Sequence, residues 1–390
     1  MSDPTSDDIV AAAIHLAPQI RAARDELEAT RQIPLPLAQA LAAAGLLQLH
    51  LPRAMGGLEL PPLTAFRAIE ELSKIDGSVG WCAMIATAGS LLGGWLRVDV
   101  GRALCGQPPD WRLAGSLRPQ GKAYPVEGGY RVRGRWDFAS GITHANWLVC
   151  ACTLMDGDTP RQTPAGGPAT RMMLIPVDAA TMVDTWSVVG MCGTGSHDFI
   201  VDDVFVPATH SCSPLTEPPQ ASGLLYHPRL LFVVLWTGTV ANALGIARGA
   251  MDAFITLATQ VGSSMSPTLL RDRALVQTQV AEAEAILSAA RAYVLTAVEA
   301  AWEAVRADLP DPSREIAQAR LAITHGMHEA VRVVDRLFHA AGTNAIYRKN
   351  GLERYFRAIH TAAQHAAGLP VHIESAGKVF LGLRPSDMGW

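Results

Sequence analysis

The spacing of apolar residues changes period twice along the 390-residue chain, and no other feature restricts its fold as much. From about residue 6 to 106, apolar side chains recur at three- and four-residue intervals, as in IVAAAIHLAPQIRAARDELEATRQ (9–32) and PPLTAFRAIEELSKID (61–76). That is the repeat of helices buried on one face. Between about 112 and 210 the period falls towards two. KAYPV and YRVRGRWDF flank Glu127-Gly128-Gly129, a hairpin turn, and NWLVCACTLM, TRMMLIPV and DFIVDDVFVP follow as strands. Beyond the Pro- and Ser-rich SCSPLTEPPQASG (211–223), the helical repeat returns over about 228–260, 267–308, 313–341 and 351–367. Pro310 stops the second of these, Ser313 is placed to cap the third, Gly342 ends it, and Gly368 with Pro370 closes the fourth. The chain therefore reads as α+β: an N-terminal helical domain (1–111), a central β domain (112–222) and a C-terminal four-helix bundle (223–390).

Several function classes fall away on composition and motif. A net charge of −4 with no run of Lys or Arg gives nucleic acid nothing to bind. The start, MSDPTSDDIV, is acidic and polar where a secretory signal is basic and then apolar, so a cytoplasmic protein is expected. The apolar stretch 224–247 is broken by His227, Pro228 and Arg229 and continues rich in Gly, Ala and Thr, which suits a buried helix better than a membrane span. Six cysteines, at 82, 105, 150, 152, 192 and 212, form no Cys-x-x-Cys pair and read as reduced, buried hydrophobes. GTGSHD (193–198) has Asp198 where a dinucleotide fingerprint needs its third glycine, and no P-loop or Gly-x-Ser-x-Gly elbow occurs. His325 and His328 have the spacing of two ligands on one helix, but no carboxylate set completes them and no metal is expected.

The order of the domains, together with LPRAMGGLELP (51–61), GGYRVRGRWDFASGITHANW (128–147), GMCGTGSHDFIVDDVFVP (190–207) and ERYFRAIHTAAQHAAG (353–368), resembles the acyl-CoA dehydrogenase fold over nearly the whole chain. In that fold a flavin lies between the β domain and the helical bundle. Within it, the chain resembles the two-component monooxygenases of group D type, which use reduced flavin and oxygen. Aligning Arg357 with the arginine of the last-helix motif puts Ala366 where the dehydrogenases carry their catalytic Glu. QVGSSMSP (260–267) replaces the segment that grips the FAD pyrophosphate, and WDFASG and GTGSHD have the forms of the monooxygenase branch. Cys192 stands where that branch often has Arg.

The resemblance implies an enzyme that oxygenates an aromatic or heteroaromatic small molecule through a C4a-hydroperoxide on reduced flavin, FMN rather than FAD. Its partners are O2, a separate NAD(P)H:flavin reductase and further copies of itself in a homotetramer, a dimer of dimers. The alternative is an FAD-dependent dehydrogenase of an acyl thioester. The resemblance places Ser140 near the flavin N5, where a hydroxyl that both accepts and donates suits the task, and places His365 on the helix facing the reactive face for acid/base work. His360, five residues away, points about 140° round that helix and is structural. Trp136 is expected to flank the ring. Thr194, Gly195 and Ser196 are expected to supply donors to it, because glycines let the backbone approach a ligand closely. Gly342, Thr343, Asn344 and Arg357 complete the cofactor set, and Trp81, Met84, Ser90, Ser116, Tyr226 and Trp236 are the candidate substrate walls. For most of these a place in an ordinary core or turn is the competing reading, and His144 and His197 remain uncommitted on loops.

Overall fold

The computed structural model describes residues 5–106, 110–164, 166–263 and 266–385. Six helices come first: α1 (Ser6–His15), α2 (Ala17–Thr30), α3 (Leu35–Ala43), α4 (Pro62–Ile75), α5 (Gly77–Ser90) and α6 (Val98–Cys105). Their starts follow local chemistry. A reciprocal cap between Thr5 and Asp8 opens α1, prolines sit in the first turns of α2, α3 and α4, and the Asp76 carboxylate accepts from the Ser78 and Val79 backbones to open α5.

The strands are β1 (Leu113–Val126), β2 (Gly129–Ala139), β3 (Trp147–Asp156), β4 (Thr159–Pro160), β5 (Thr170–Pro176), β6 (Thr181–Val183), β7 (His197–Pro207) and β8 (Ser211–Cys212). They form one sheet in the order β6-β7-β2-β1-β3-β5-β8, with β4 on β3. β1 and β2 make the expected hairpin, closing at Val126 opposite Gly129, while β1 and β3 run parallel. The sheet wraps a core of its own, with Trp136, Val132, Phe199 and Leu148 at its centre.

The chain then turns helical again: α7 (Leu231–Ala258), a short hairpin of β9 (Gly262–Ser263) and β10 (Ser266–Leu269), α8 (Ala274–Arg306), α9 (Ser313–Ala341), α10 (Leu352–Ala362) and α11 (Val371–Phe380). α7 is apolar enough to cross a membrane by composition, yet 78% of its most apolar window is buried, against α4, α5, α9 and α10. It is the core helix that its glycines and alanines suggested, and those glycines let α4 and α5 approach.

Three expectations are corrected here. α8 begins at Ala274 rather than about 267, because the β9–β10 hairpin occupies the start of that stretch. Pro312, not Ser313, is the N-cap of α9, and the Asp311 carboxylate accepts from the Ser313 backbone at 3.1 Å. The fourth helix stops at Ala362, well short of 367, and α11 follows as a helix that the sequence reading lacked. Five of the six cysteines are buried and all are free; Cys192 is half-buried. Among the described residues no group of three or more His, Cys, Asp or Glu is placed to hold a metal, and the His328 imidazole instead bonds the Gly368 carbonyl at 2.8 Å.

Candidate active site

Ser140 owes its position to a bulge. Along β2, Trp136 faces Phe199 of β7, but Ala139 faces His197, so three steps on one strand match two on the other. The extra residue is taken up at Phe138, whose φ of 60° is left-handed, and Gly141 follows at φ 81°. Trp136 consequently points into the β core, while Ser140 emerges at the junction with α5. Opposite it, residues 190–196 make a tight loop with Met191 at φ 59° and Gly195 at φ 51°, and the Thr194 carbonyl accepts from the Gly141 backbone at 2.8 Å.

These segments are joined by a chain of hydrogen bonds. The Trp81 indole N–H, from α5, donates to Ser140 Oγ at 3.1 Å. Ser140 Oγ lies 2.6 Å from Ser196 Oγ, which lies 2.7 Å from Thr194 Oγ1, and Thr194 donates to the Met191 carbonyl at 2.9 Å. An indole N–H only donates and a carbonyl only accepts, so the two ends fix the direction of everything between them. Thr194 spends its proton on Met191, Ser196 therefore donates to Thr194, and Ser140 donates to Ser196. All three hydroxyls are buried. Ser140 is thus left with no proton to offer and one lone pair to spare.

His365 approaches from the bundle side, its ring edge-on to Trp81 with centroids 5.5 Å apart and planes at 81°. It is not on the helix. Its backbone is extended (φ −66°, ψ 149°) and opens a single 3-10 turn, Ala366–Gly368. Its Nδ1 accepts from the Ala367 backbone at 3.2 Å. Burial, reinforced by His372, pushes its pKa down to about 4, so the ring is neutral at pH 7. His372 bonds the Ala366 carbonyl at 2.9 Å and lies against Trp236 with centroids 4.5 Å apart. Ala366, at the position of the dehydrogenase base, carries only a methyl group.

Several expected site residues are engaged elsewhere. Trp136 is fully buried, stacked on Phe199 at 5.1 Å, with its indole bonded to the Ala151 carbonyl at 2.7 Å. It lies over Gly121, where any Cβ would collide with the ring, and close to Gly134, so its face is covered within the β core. Tyr226 is fully buried against Gly94 and donates to the His50 carbonyl at 3.0 Å. Ser90 is buried and spends its proton on the Thr87 carbonyl. Met84 packs beneath Gly238 and Thr239.

Arg357 is held by Glu28, Glu353 and the Val189 carbonyl in a charged pocket with Arg24, Asp76 and Arg354 that Met191, Cys192 and Gly193 also line, and its buried Nη2 makes no hydrogen bond with the described residues. Ser116 is buried with its hydroxyl accepting from the Arg118 backbone, and Trp236 is half-buried between Phe232 and His372. Asn344 ties its loop to β9 by donating to the Gly262 carbonyl at 3.0 Å, whereas Gly342 and Thr343 are exposed. His197 accepts from the Thr185 and Trp186 backbones, His360 pairs with Asp335 at 2.8 Å, and His144 is buried with its pKa lowered by burial to about 4. The segment 260–267 lies partly outside the described residues.

Phe138 was missed by sequence reasoning. It is 54% exposed, two residues from Ser140, edge-on to Trp186 at 6.1 Å and beneath the Arg118 guanidinium. Nothing in its sequence neighbourhood signals a left-handed aromatic, since no glycine marks the bulge.

Helices on either side of a β domain, a hydroxyl relay on the β side and a methyl group at the dehydrogenase base position define the class: a protein of acyl-CoA dehydrogenase architecture without that family's carboxylate base. Comparison with known proteins agrees. The model of the acyl-CoA dehydrogenase N-terminal domain matches residues 11–97 and that of the C-terminal domain matches 237–369. The chain is 32% identical to an indole-3-acetate monooxygenase of Pseudomonas putida, covering 94% of this chain and 91% of the relative. It is 29% identical to HsaA of Mycobacterium tuberculosis, the oxygenase subunit of a flavin-dependent monooxygenase, covering 97% and 96%. The HsaA crystal structure superposes with a TM-score of 0.87 at 26% identity, covering 98% of this chain and 99% of that one. XiaF from Streptomyces sp., solved with FADH2 and glycerol, gives 0.89 at 25% identity, covering 99% and 98%. The chain belongs to the flavin-dependent monooxygenases of the acyl-CoA dehydrogenase fold, and the acyl-thioester alternative is set aside.

Proposed function

We propose that this chain is the oxygenase component of a two-component system, taking reduced flavin from a separate NAD(P)H:flavin reductase and using O2 to hydroxylate or oxygenate a small aromatic or heteroaromatic molecule. The observation that carries the reading is the directed relay ending at Ser140. It leaves a buried oxygen able only to accept, as the N–H edge of a reduced flavin ring requires. Reduced flavin, when bound, activates dioxygen for transfer. This chain's own residues would hold and shield it: Ser140 would accept from the ring edge and the exposed Phe138 would help to cover the ring. His365 meets the substrate, and Trp81 joins it to the cofactor side.

The relatives' names bear on the finer points. Besides the indole-3-acetate monooxygenase, a 29% identical relative from Rhizobium sp. is an FADH(2)-dependent resorcinol hydroxylase, oxygenase component. With XiaF, this weighs for FADH2 against the FMN expected from the sequence, and the titration below separates the two. A homotetramer is supported by the exposed apolar Ile346 and Tyr347, which directly follow the 342–344 segment.

The test is anaerobic titration of the purified protein with FMNH2 and FADH2, followed by oxygen and a panel of aromatic compounds. Tight binding of one reduced flavin over its oxidised form, with oxygenated product, is expected. Reduction of bound oxidised flavin by an acyl-CoA overturns the reading.

A further inference from the structure

We propose that His365 is a fixed hydrogen-bond donor, not a proton acceptor, and that the aromatic substrate presents an oxygen acceptor, such as a carbonyl, carboxylate or ring oxyanion, to its Nε2–H. The inference rests on the oxygenase reading of the same site. A backbone N–H can only donate, so the Ala367 N–H at 3.2 Å requires a lone pair on His365 Nδ1. The one proton of the neutral ring is then on Nε2, which makes no hydrogen bond with any described residue.

The turn that imposes this tautomer is itself braced from two helices. The Ala367 carbonyl accepts from Thr324 Oγ1 at 2.8 Å and the Gly368 carbonyl from His328 at 2.8 Å, both on α9, while the Ala366 carbonyl accepts from His372 of α11 at 2.9 Å. With three successive carbonyls held, the Ala367 N–H has nowhere else to turn. To act as a base, His365 would have to take a proton at Nδ1, breaking that bond and orphaning a backbone donor. Acting as an acid from the neutral state would leave an imidazolate, which no described group stabilises.

The groups facing the ring push the same way. Burial comes first and favours the neutral form, with a pKa of about 4, while Trp81 of α5 offers an uncharged ring, His372 lies on the α11 side and His328 lies further along the turn. A substrate offering an N–H or O–H at this point would set donor against donor. One offering an oxygen lone pair satisfies the only unmet group on His365, and the match discriminates between rings of nearly equal shape.

The probes are 2-oxindole and indole, alike in size but for the carbonyl. Their binding to the full-length protein, loaded anaerobically with reduced flavin so that no turnover occurs, is followed by tryptophan fluorescence. The wild type is expected to bind 2-oxindole about tenfold tighter than indole. His365→Phe should abolish the preference and His365→Gln, whose amide N–H donates but takes no proton, should keep most of it. Equal binding of the two rings overturns the proposal, as does a preference that survives in His365→Phe or one lost equally in His365→Gln. Failure of the wild type to bind reduced flavin is a separate result, which overturns the oxygenase reading beneath it.

Discussion

Ser140→Ala and Ser196→Ala form a matched pair that separates the contacting oxygen from its support. Each removes two of the four hydrogen bonds in the relay: Trp81–Ser140 and Ser140–Ser196 in the first, Ser140–Ser196 and Ser196–Thr194 in the second. At about 1 kcal/mol net for each neutral bond, both variants should lose about 2 kcal/mol of stability, read as similar drops in urea midpoint. Their effect on coupling should differ. Ser140→Ala deletes the acceptor. If Ser140 is the group that would hold the flavin N–H, losing one bond worth about 1.4 kcal/mol should raise the peroxide-to-product ratio about tenfold. Ser196→Ala keeps the oxygen but frees its proton to sample three staggered positions, so the acceptor orientation falls at most about threefold. The assay is a limited-turnover reaction with reduced flavin, oxygen and substrate, with peroxide counted by a peroxidase dye and product by chromatography. Equal uncoupling in the two variants, at equal stability, would show that Ser140 is not the contacting group.

Other perturbations follow from the same geometry. Trp136→Phe breaks the 2.7 Å bond to the Ala151 carbonyl inside the β core and should cost about 2 kcal/mol, while the affinity for reduced flavin stays within about twofold; a large loss of affinity would return Trp136 to the site. Phe138→Ala should do the reverse, weakening reduced flavin about tenfold by the loss of roughly 1.5 kcal/mol of ring burial, with stability changed by less than about 0.5 kcal/mol; anaerobic titration and urea unfolding check the two halves. Acid stability reports the buried histidines. Burial holds His50 and His144 at about 4 in the fold, whereas the unfolded chain takes up these protons near pH 6.5. Their contribution is therefore complete above pH 6.5 and lost as pH falls towards 4, and the urea midpoint should already decline in that window; a midpoint flat from pH 7 to 5 contradicts their burial.

The helix–strand–helix order was legible because it depends on local period alone: each element buries one face, and the spacing of its apolar residues records which. The resemblance placed Trp136 beside the ring together with Ser140, and in an unbroken strand residues 136, 138 and 140 do share a face. The bulge at Phe138 reverses that parity, and a left-handed phenylalanine has no sequence signature. The end of α10 was hidden for a related reason. AAQHAAG contains nothing before its glycine that forbids a helix; the chain leaves the helical path where the α9 and α11 side chains take the carbonyls of the following turn. That departure makes His365 a cap rather than a helix-face residue, and with it fixes the tautomer.

What the sequence held without revealing is direction. Trp81, Ser140 and the Thr194–Ser196 pair come from three stretches that separately read as a helix, a strand end and a turn, and each hydroxyl alone is free to donate or accept. Their chemical character exists only where they meet, because the indole at one end and the Met191 carbonyl at the other leave a single consistent assignment of protons. His365 is constrained in the same way by the Ala367 backbone, with the opposite outcome. The two sides of the junction thus present complementary polarities, an acceptor at Ser140 and a donor at His365 with the Trp81 ring between them, which under the proposed function would serve the cofactor and the substrate respectively. An acyl-thioester dehydrogenase needs a carboxylate that changes protonation here. This pair has no group that does so near pH 7, which is why the site suits an enzyme that holds two partners in place while oxygen passes from one to the other.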